Sequence, residues 1–426
     1  MPPKTALRIL LIAVCAACLV VLADNDNKDP KWRVLNREAR QALQAKDYAT
    51  LRDKLQELKA LMPGNPVIAY NLAASNALLG DAQTALAGLR NVAAMGLIYD
   101  FPADPDFASL RESTEFRQIV QKVDDNKKPV SRSSLAFALA EPDLIPEDIA
   151  YDAKTKRFLV SSVRESKIIS TDGHTAAHDF AKADWPVLAL RIDAKRRILW
   201  AATGWLPHCE HCQASDKDKT ALLAFDLDSG ALRQRIESPV PGLLGDMTIS
   251  REGEIFVSEG IHGAVLRLRP GAKNLERLDA PGEFPSPQTP ALSADEKTLY
   301  VPDYVRGIAA VTLASGAVSW LKPADDIALN GIDGLYVYGN SFLAVQNGTK
   351  PERIIRFSLD LRRQEVLEAN TSELGEPTHG TFAGDAFYFI ANSGWDHYDD
   401  EGKKKAGSEP VRSTIRKIPL PAADWR

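Results

Sequence analysis

The sequence predicts a mostly β protein: a six-bladed β-propeller over residues 133–422, preceded by a small all-α unit over residues 31–126. Three observations carry this reading. One short strand pattern recurs six times in the larger part, its spacing suits a four-stranded blade, and helical periodicity is confined to the stretch ahead of it. With 426 residues, 45% hydrophobic and 26% charged, the chain has the balance of an ordinary globular protein and can build such a core. Its 57 acidic and 52 basic side chains leave a net charge of −5. Nucleic-acid binding runs on a surplus of cations, so a small-molecule or protein partner is expected instead.

Residues 1–23 stand apart from the fold. Lys4 and Arg8 make a basic start, residues 9–22 are continuously apolar, Val21-Leu22-Ala23 ends the run, and Asp24-Asn25-Asp26-Asn27 turns polar. This is the layout of a secretory signal peptide. It predicts a periplasmic or secreted mature chain beginning near Asp24. An uncleaved membrane anchor is the alternative, on a run shorter than the ~20 residues a spanning helix needs. Acylation at Cys18 is the weaker reading, because residues 19–22 stay apolar after it.

Residues 36–97 read as helices. Leu51, Leu55 and Leu58 share one face, and breaks fall at Lys46-Asp47, Pro63-Gly64-Asn65-Pro66 and Gly80-Asp81. Asp47 and Asp81 are 34 residues apart, and the same offset pairs Leu51 with Ala85 and Leu55 with Leu89. That is the period of tetratricopeptide repeats, which residues 69–73 and 79–86 resemble. Two repeats are few for a continuous core, so further helix is expected between Phe107 and Val123. The unit is expected either to dock a protein partner or to pack as a cap on the next domain. Residues 124–129 read as the linker.

From residue 133 onward the helical signal fades. Six short strands begin at Phe158, Ile198, Ile255, Leu299, Phe342 and Phe387, at intervals of 40, 57, 44, 43 and 45 residues. Blades of four strands repeat at about 40–45 residues, and a blade cannot cover both faces alone, so several must stack radially. The long interval holds an insertion at 205–219. A second strand follows each of the six, and residues 134–139 are expected to supply the outer strand that closes the ring and removes its exposed edge.

Pro146-Glu147-Asp148-Ile149-Ala150-Tyr151-Asp152, Gly331-Ile332-Asp333-Gly334-Leu335 and Ala391-Asn392-Ser393-Gly394-Trp395-Asp396 resemble segments of the gluconolactonase and regucalcin family, the senescence marker protein family of six-bladed propellers. The resemblance covers roughly residues 140–420. It implies a metal held by a Glu of the first blade, an Asp of a later blade and two amide side chains. Glu147 and Asp333 match those positions, Gln288 stands where an Asn is usual, and Gly245-Asp246 stands where Asn-Asp is common.

Comparison of the six blades leads to the same residues independently. The residues that begin the innermost strands are Glu147, Leu188, Asp246, Gln288, Asp333 and His379, and five of the six are polar where apolar packing is the norm. Glu147, Asp246, Gln288 and Asp333 offer oxygen ligands for a hard divalent ion, calcium first, with zinc or another ion as alternatives. Asp333 and His379 are the candidate catalytic groups. The other reading has the carboxylates binding turn backbone and His379 donating to a nearby carbonyl.

Cys209 and Cys212 are expected to form a disulfide in the 205–219 insertion, given an oxidising compartment. Zinc binding with His208 and His211 is the alternative. The sequence holds no phosphate-binding glycine loop and no Gly-x-Ser-x-Gly elbow. The expected activity is metal-dependent hydrolysis of a lactone or ester. A non-catalytic binding propeller, its mouth plugged by Trp205, Trp395 or Tyr398, is the alternative.

Overall fold

The computed structural model describes residues 29–174 and 176–420; the expected signal segment, with Cys15 and Cys18, lies outside the described residues. Among the described residues five α-helices come first: α1 Lys31–Gln44, α2 Tyr48–Leu61, α3 Pro66–Leu78, α4 Ala82–Ala94 and α5 Thr114–Asn126, with a 3-10 turn at Pro105–Leu110. The sequence breaks are the caps. Asp47 Oδ1 accepts from Thr50 N at 3.1 Å and Asp81 Oδ1 from Thr84 N at 3.0 Å, so the two aspartates 34 residues apart start α2 and α4 in the same way. Asn65 and Ser113 cap α3 and α5. The last helix runs to Asn126, into the stretch read as a linker.

The helical unit is not free-standing. Its alanine-rich α3 is buried on nearly every side, packed on α2, α4 and the 3-10 turn, in one core with α5 and Ala328 of the propeller. Asn65 Nδ2 donates to Val305 O at 3.0 Å, Ile98 N to Lys350 O at 2.7 Å and Leu329 N to Gly64 O at 2.9 Å. A Cβ at Gly64 would stand 2.9 Å from the Leu329 side chain, so glycine is what lets the two units approach there. Arg353, fully buried in blade five, donates through Nη1 to Met95 O at 2.8 Å and through Nε to Gln346 Oε1 at 2.7 Å. Burial pulls its pKa down to about 9.

Residues 133–420 form six antiparallel blades around a central axis. Their innermost strands are Ile149–Asp152, Val187–Asp193, Leu244–Ile249, Ala291–Leu292, Ile332–Tyr338 and Gly380–Ala383. The six recurring strands of the sequence are the second strands, Arg157–Ser162, Ile198–Gly204, Ile255–Glu259, Thr298–Asp303, Ser341–Gln346 and Ala386–Ile390. Both faces of each are covered by neighbouring blades, so they read as continuous rather than alternating apolar runs. Ser134–Ala138 pairs with Thr414–Pro419 and becomes the outer strand of blade six, closing the ring. A further strand, Val130–Ser131, adds to the outer edge of blade five, where the Glu368 carboxylate accepts from the backbone of Arg132 and Ser133. Among the described residues no helix is long and apolar enough to cross a membrane.

Candidate functional site

Antiparallel register explains why the residues that begin the innermost strands share an environment. In three blades the first pair of strands carries a bulge: between Val187 and Ala189, between Leu244 and Asp246, and between Ile332 and Gly334. A bulge inserts one residue, bends the strand and re-aims a side chain. Asp333 and Leu188 are the inserted residues, and Gly245 is the third, leaving Asp246 just inside.

Four of the expected site residues meet at one mouth of the channel. His379 Nε2 lies 2.7 Å from Asp246 Oδ1 and 3.9 Å from Asp333 Oδ1, and its Nδ1 lies 3.8 Å from Glu147 Oε1. The 2.7 Å approach to Asp246 is an ion-pair contact without hydrogen-bond alignment, since Nε2 has no aligned acceptor. The Glu147 backbone carbonyl sits 2.9 Å from His379 Nδ1, which fixes the ring. His379, Asp246 and Asp333 are buried, and the Glu147 side chain is 15% exposed. Each carboxylate has a second partner. The Trp395 indole N–H donates to Glu147 Oε2 at 2.6 Å, Asn347 Nδ2 to Asp333 Oδ2 at 2.7 Å, and the Thr289 hydroxyl to Asp246 Oδ1 at 2.8 Å.

Gln288 is oriented differently. Its amide donates to the Ser286 carbonyl and hydroxyl at 3.2 and 3.1 Å, within its own turn. The blade-four side chain that bonds into the cluster is its neighbour Thr289, in the turn that leads into the inner strand at Ala291. Leu188, the apolar exception, packs with Ile145, Val163 and Tyr398 beside the mouth, and Trp395 borders that group.

Charge is concentrated here against the cost of burial. Burial first, then the Asp333 charge, pushes the Glu147 carboxyl up to about 8, with Trp395 and His379 opposing. Asp333 is raised to about 6 by burial and by Asp246, against His379 and Asn347. Burial alone would lower the His379 pKa, but Asp246 and Asp333 outweigh it and hold the imidazole well above its usual range. In the metal-free protein His379 is therefore a cation beside the Asp246 and Asp333 carboxylates, with Glu147 holding its proton at neutral pH. Below it, buried Asp148 accepts from Leu190 N at 2.8 Å and pairs with Arg191 Nη1 at 2.5 Å. The Tyr336 hydroxyl accepts from Gly380 N at 2.8 Å, and burial lifts its pKa to about 12.

The ligand atoms of Glu147, Asp333 and His379 all lie within 4.8 Å of one another. Metal–oxygen distances of about 2.3–2.6 Å put opposed ligands of one ion about 5 Å apart, so the separation fits a shared cation. The expected disulfide is present between Cys209 and Cys212. His211 lies instead in a second, exposed group with Glu165 and Glu210.

Asp148 and Trp395 stand inside the motifs quoted above, and Trp395 is one of the residues expected to plug the mouth. Asp148 pairs with Arg191 and Asp246 with Thr289 of a neighbouring blade, whereas Asn347 bonds Asp333 within blade five. No signal in the sequence tied Arg191, Thr289 or Asn347 to the site.

No family model and no curated protein matches this chain. Solved structures do resemble it. A gluconolactonase from Xanthomonas campestris shares 17% identity over 69% of this chain and 91% of its own, with a TM-score of 0.47. A calcium-binding regucalcin from Agrobacterium tumefaciens shares 16% over 67% and 94%, with a TM-score of 0.49. A luciferin-regenerating enzyme shares 14% over 68% and 95%, with a TM-score of 0.47. At such identities the likeness concerns the fold, and function has to be argued from the site.

Proposed function

We propose that this protein is an exported, metal-dependent hydrolase of lactones or esters, acting at the mouth where Glu147, Asp246, Asp333 and His379 meet. The observation that carries the reading is the 4.8 Å grouping of ligand atoms from blades one, five and six. A buried cluster of carboxylates is costly without a cation, and a pocket of perturbed titratable groups is a common mark of chemistry.

Glu147, Asp333 and His379 would hold the ion, with Asp246 beside them, and a bound divalent ion supplies Lewis-acid polarisation of the scissile carbonyl and a more acidic water. Two carboxylates suit calcium, whereas the imidazole also suits zinc. Trp395 orients Glu147, and Asn347 holds one Asp333 oxygen while leaving Oδ1 toward the cluster. In the metal-free site burial raises the Asp333 pKa above that of an ordinary aspartate, and a bound ion would lower it again. Asp333 is the group we assign to accept the proton of the attacking water. Asp246, oriented by Thr289, steadies His379 from the other side.

A second reading has an observation of its own. His379 as an internal cation, with Trp395 seated on Glu147, would make the cluster a self-neutralised plug in a binding propeller. The helical pairs, read as tetratricopeptide-like, would then be the docking part for a protein partner. Chelator-stripped protein titrated with calcium and zinc, then assayed on γ- and δ-lactones and aryl esters, separates the two. Binding of one ion with metal-dependent turnover supports the hydrolase. Absence of both supports the plug.

A further inference from the structure

Two long loops lean on each other over the mouth. One is the 205–219 insertion of blade two, the other the 391–413 connection of blade six. The first is anchored by the Cys209–Cys212 disulfide, by Glu210 N donating to Arg164 O at 3.0 Å, and by the Cys209 sulfur 3.3 Å from the Ser166 hydroxyl. Immediately before the disulfide, the His208 ring meets the Trp395 ring edge-on, centroids 4.7 Å apart at 77°. Residue 402 of the second loop approaches Pro207 so closely that a Cβ would stand 2.1 Å from its carbonyl oxygen, and the φ of 74° there also calls for Gly402. Trp395 in turn donates to Glu147 Oε2 at 2.6 Å. The contacts run without a gap from disulfide to His208, to Trp395, to Glu147.

We infer that Trp395 is a positioning residue for Glu147, and that the disulfide-clipped blade-two loop holds Trp395 in place through His208, so that the geometry of the mouth depends on the oxidation state of Cys209 and Cys212. The inference rests on the reading of Glu147 as a metal ligand. An indole has two rotatable side-chain bonds, and its N–H reaches Glu147 only in one orientation. The Leu188 and Tyr398 group borders the Trp395 ring, and His208 packs edge-on against it and restricts its rotation. Reduction by a dithiol or phosphine takes up two electrons and two protons, converts the disulfide to two thiols and opens a three-residue clip in an exposed loop. Strand pairing of blades two and six does not involve that clip, so the ring stays closed while His208 is released.

The test uses the full mature chain, oxidised or reduced with a phosphine, titrated with calcium alone, with thermal melting and tryptophan emission followed in parallel. Reduction is expected to weaken calcium binding about 5- to 20-fold with little change in melting temperature. Cys209→Ser/Cys212→Ser should bind at the reduced level and ignore the reductant. His208→Ala should weaken binding with the disulfide intact, and Trp395→Phe, which keeps the ring but loses the N–H, should remove the redox response. Equal affinity in both redox states overturns the inference. If calcium binds in neither state, the ligand reading fails separately. Tryptophan emission then decides the remainder: a redox-dependent change absent from Trp395→Phe sustains the link from loop to indole, and no change overturns it.

Discussion

Glu147→Gln offers a direct probe of the charge stored at the mouth. The substitution keeps the side chain's shape and an acceptor oxygen for the Trp395 indole, and removes only the titration. In wild type the carboxyl is raised from an ordinary 4.5 to about 8, chiefly by burial. At about 1.4 kcal/mol per tenfold step this difference has a ceiling of about 5 kcal/mol. The sign follows from linkage. Between pH 4.5 and about 8 the folded protein keeps a proton that the unfolded chain has released, so metal-free stability falls as pH rises through that window. Glutamine does not pay this penalty. Because Asp333 shares the repulsion and the site can relax, the expected gain is about 1–3 kcal/mol at pH 8.5, or roughly 1–4 °C in melting temperature, and near zero at pH 5. Calorimetry in chelator at the two pH values measures it. An unchanged or lower melting temperature at pH 8.5, or an equal gain at both pH values, would refute the account of the cluster.

Other perturbations follow from the same contacts. Arg353→Ala leaves Gln346 Oε1 and Met95 O without their donor and opens a cavity at the junction of helices and propeller. It should cost about 3–5 kcal/mol and make the helical unit the first target of limited proteolysis. Phe137→Ala removes a ring that packs 5.1 Å from Phe158 in the closing blade. It should lower stability by about 3 kcal/mol in a denaturant titration. Metal affinity should climb as pH rises from about 6 through 8 and beyond, because an ion must displace the protons held on Glu147 and His379, and proton release during calorimetric titration in two buffers checks it.

The propeller was legible because its second strands are buried on both faces, which leaves six dense apolar runs such as Phe158-Leu159-Val160. Closure by residues 134–138 was expected because a ring must cover its exposed edge, although that outer strand is itself mostly exposed, and Asp47 and Asp81 announced their helices because a cap is a local device. The candidate site was visible as a register: polar residues beginning five inner strands, four of which meet. Gln288 shows the limit of that argument. In blade four the inner strand begins only at Ala291, and in the turn before it Gln288 bonds Ser286 while Thr289 reaches Asp246. Arg191 could not be placed in advance, since its partner Asp148 lies on another blade, and Trp395 was expected at the mouth but not its bond to Glu147 across the ring closure. Asn347 bonds Asp333 within blade five, from the turn that follows the second strand, where no pattern marks it. The edge strand Val130–Ser131 was hidden in a polar linker, its pairing decided by Glu368 far along the chain.

The central claim is that Glu147 and Asp333 share one divalent ion. Isothermal titration of calcium and of zinc into chelator-stripped protein at pH 8, with Asp333→Asn run in parallel, tests it most directly. The account predicts one ion per chain for wild type and at least a 100-fold loss in the variant, whose fold is preserved because Asn347 can still bond the replaced side chain. No ion bound by wild type, or equal affinity in the two proteins, would contradict it.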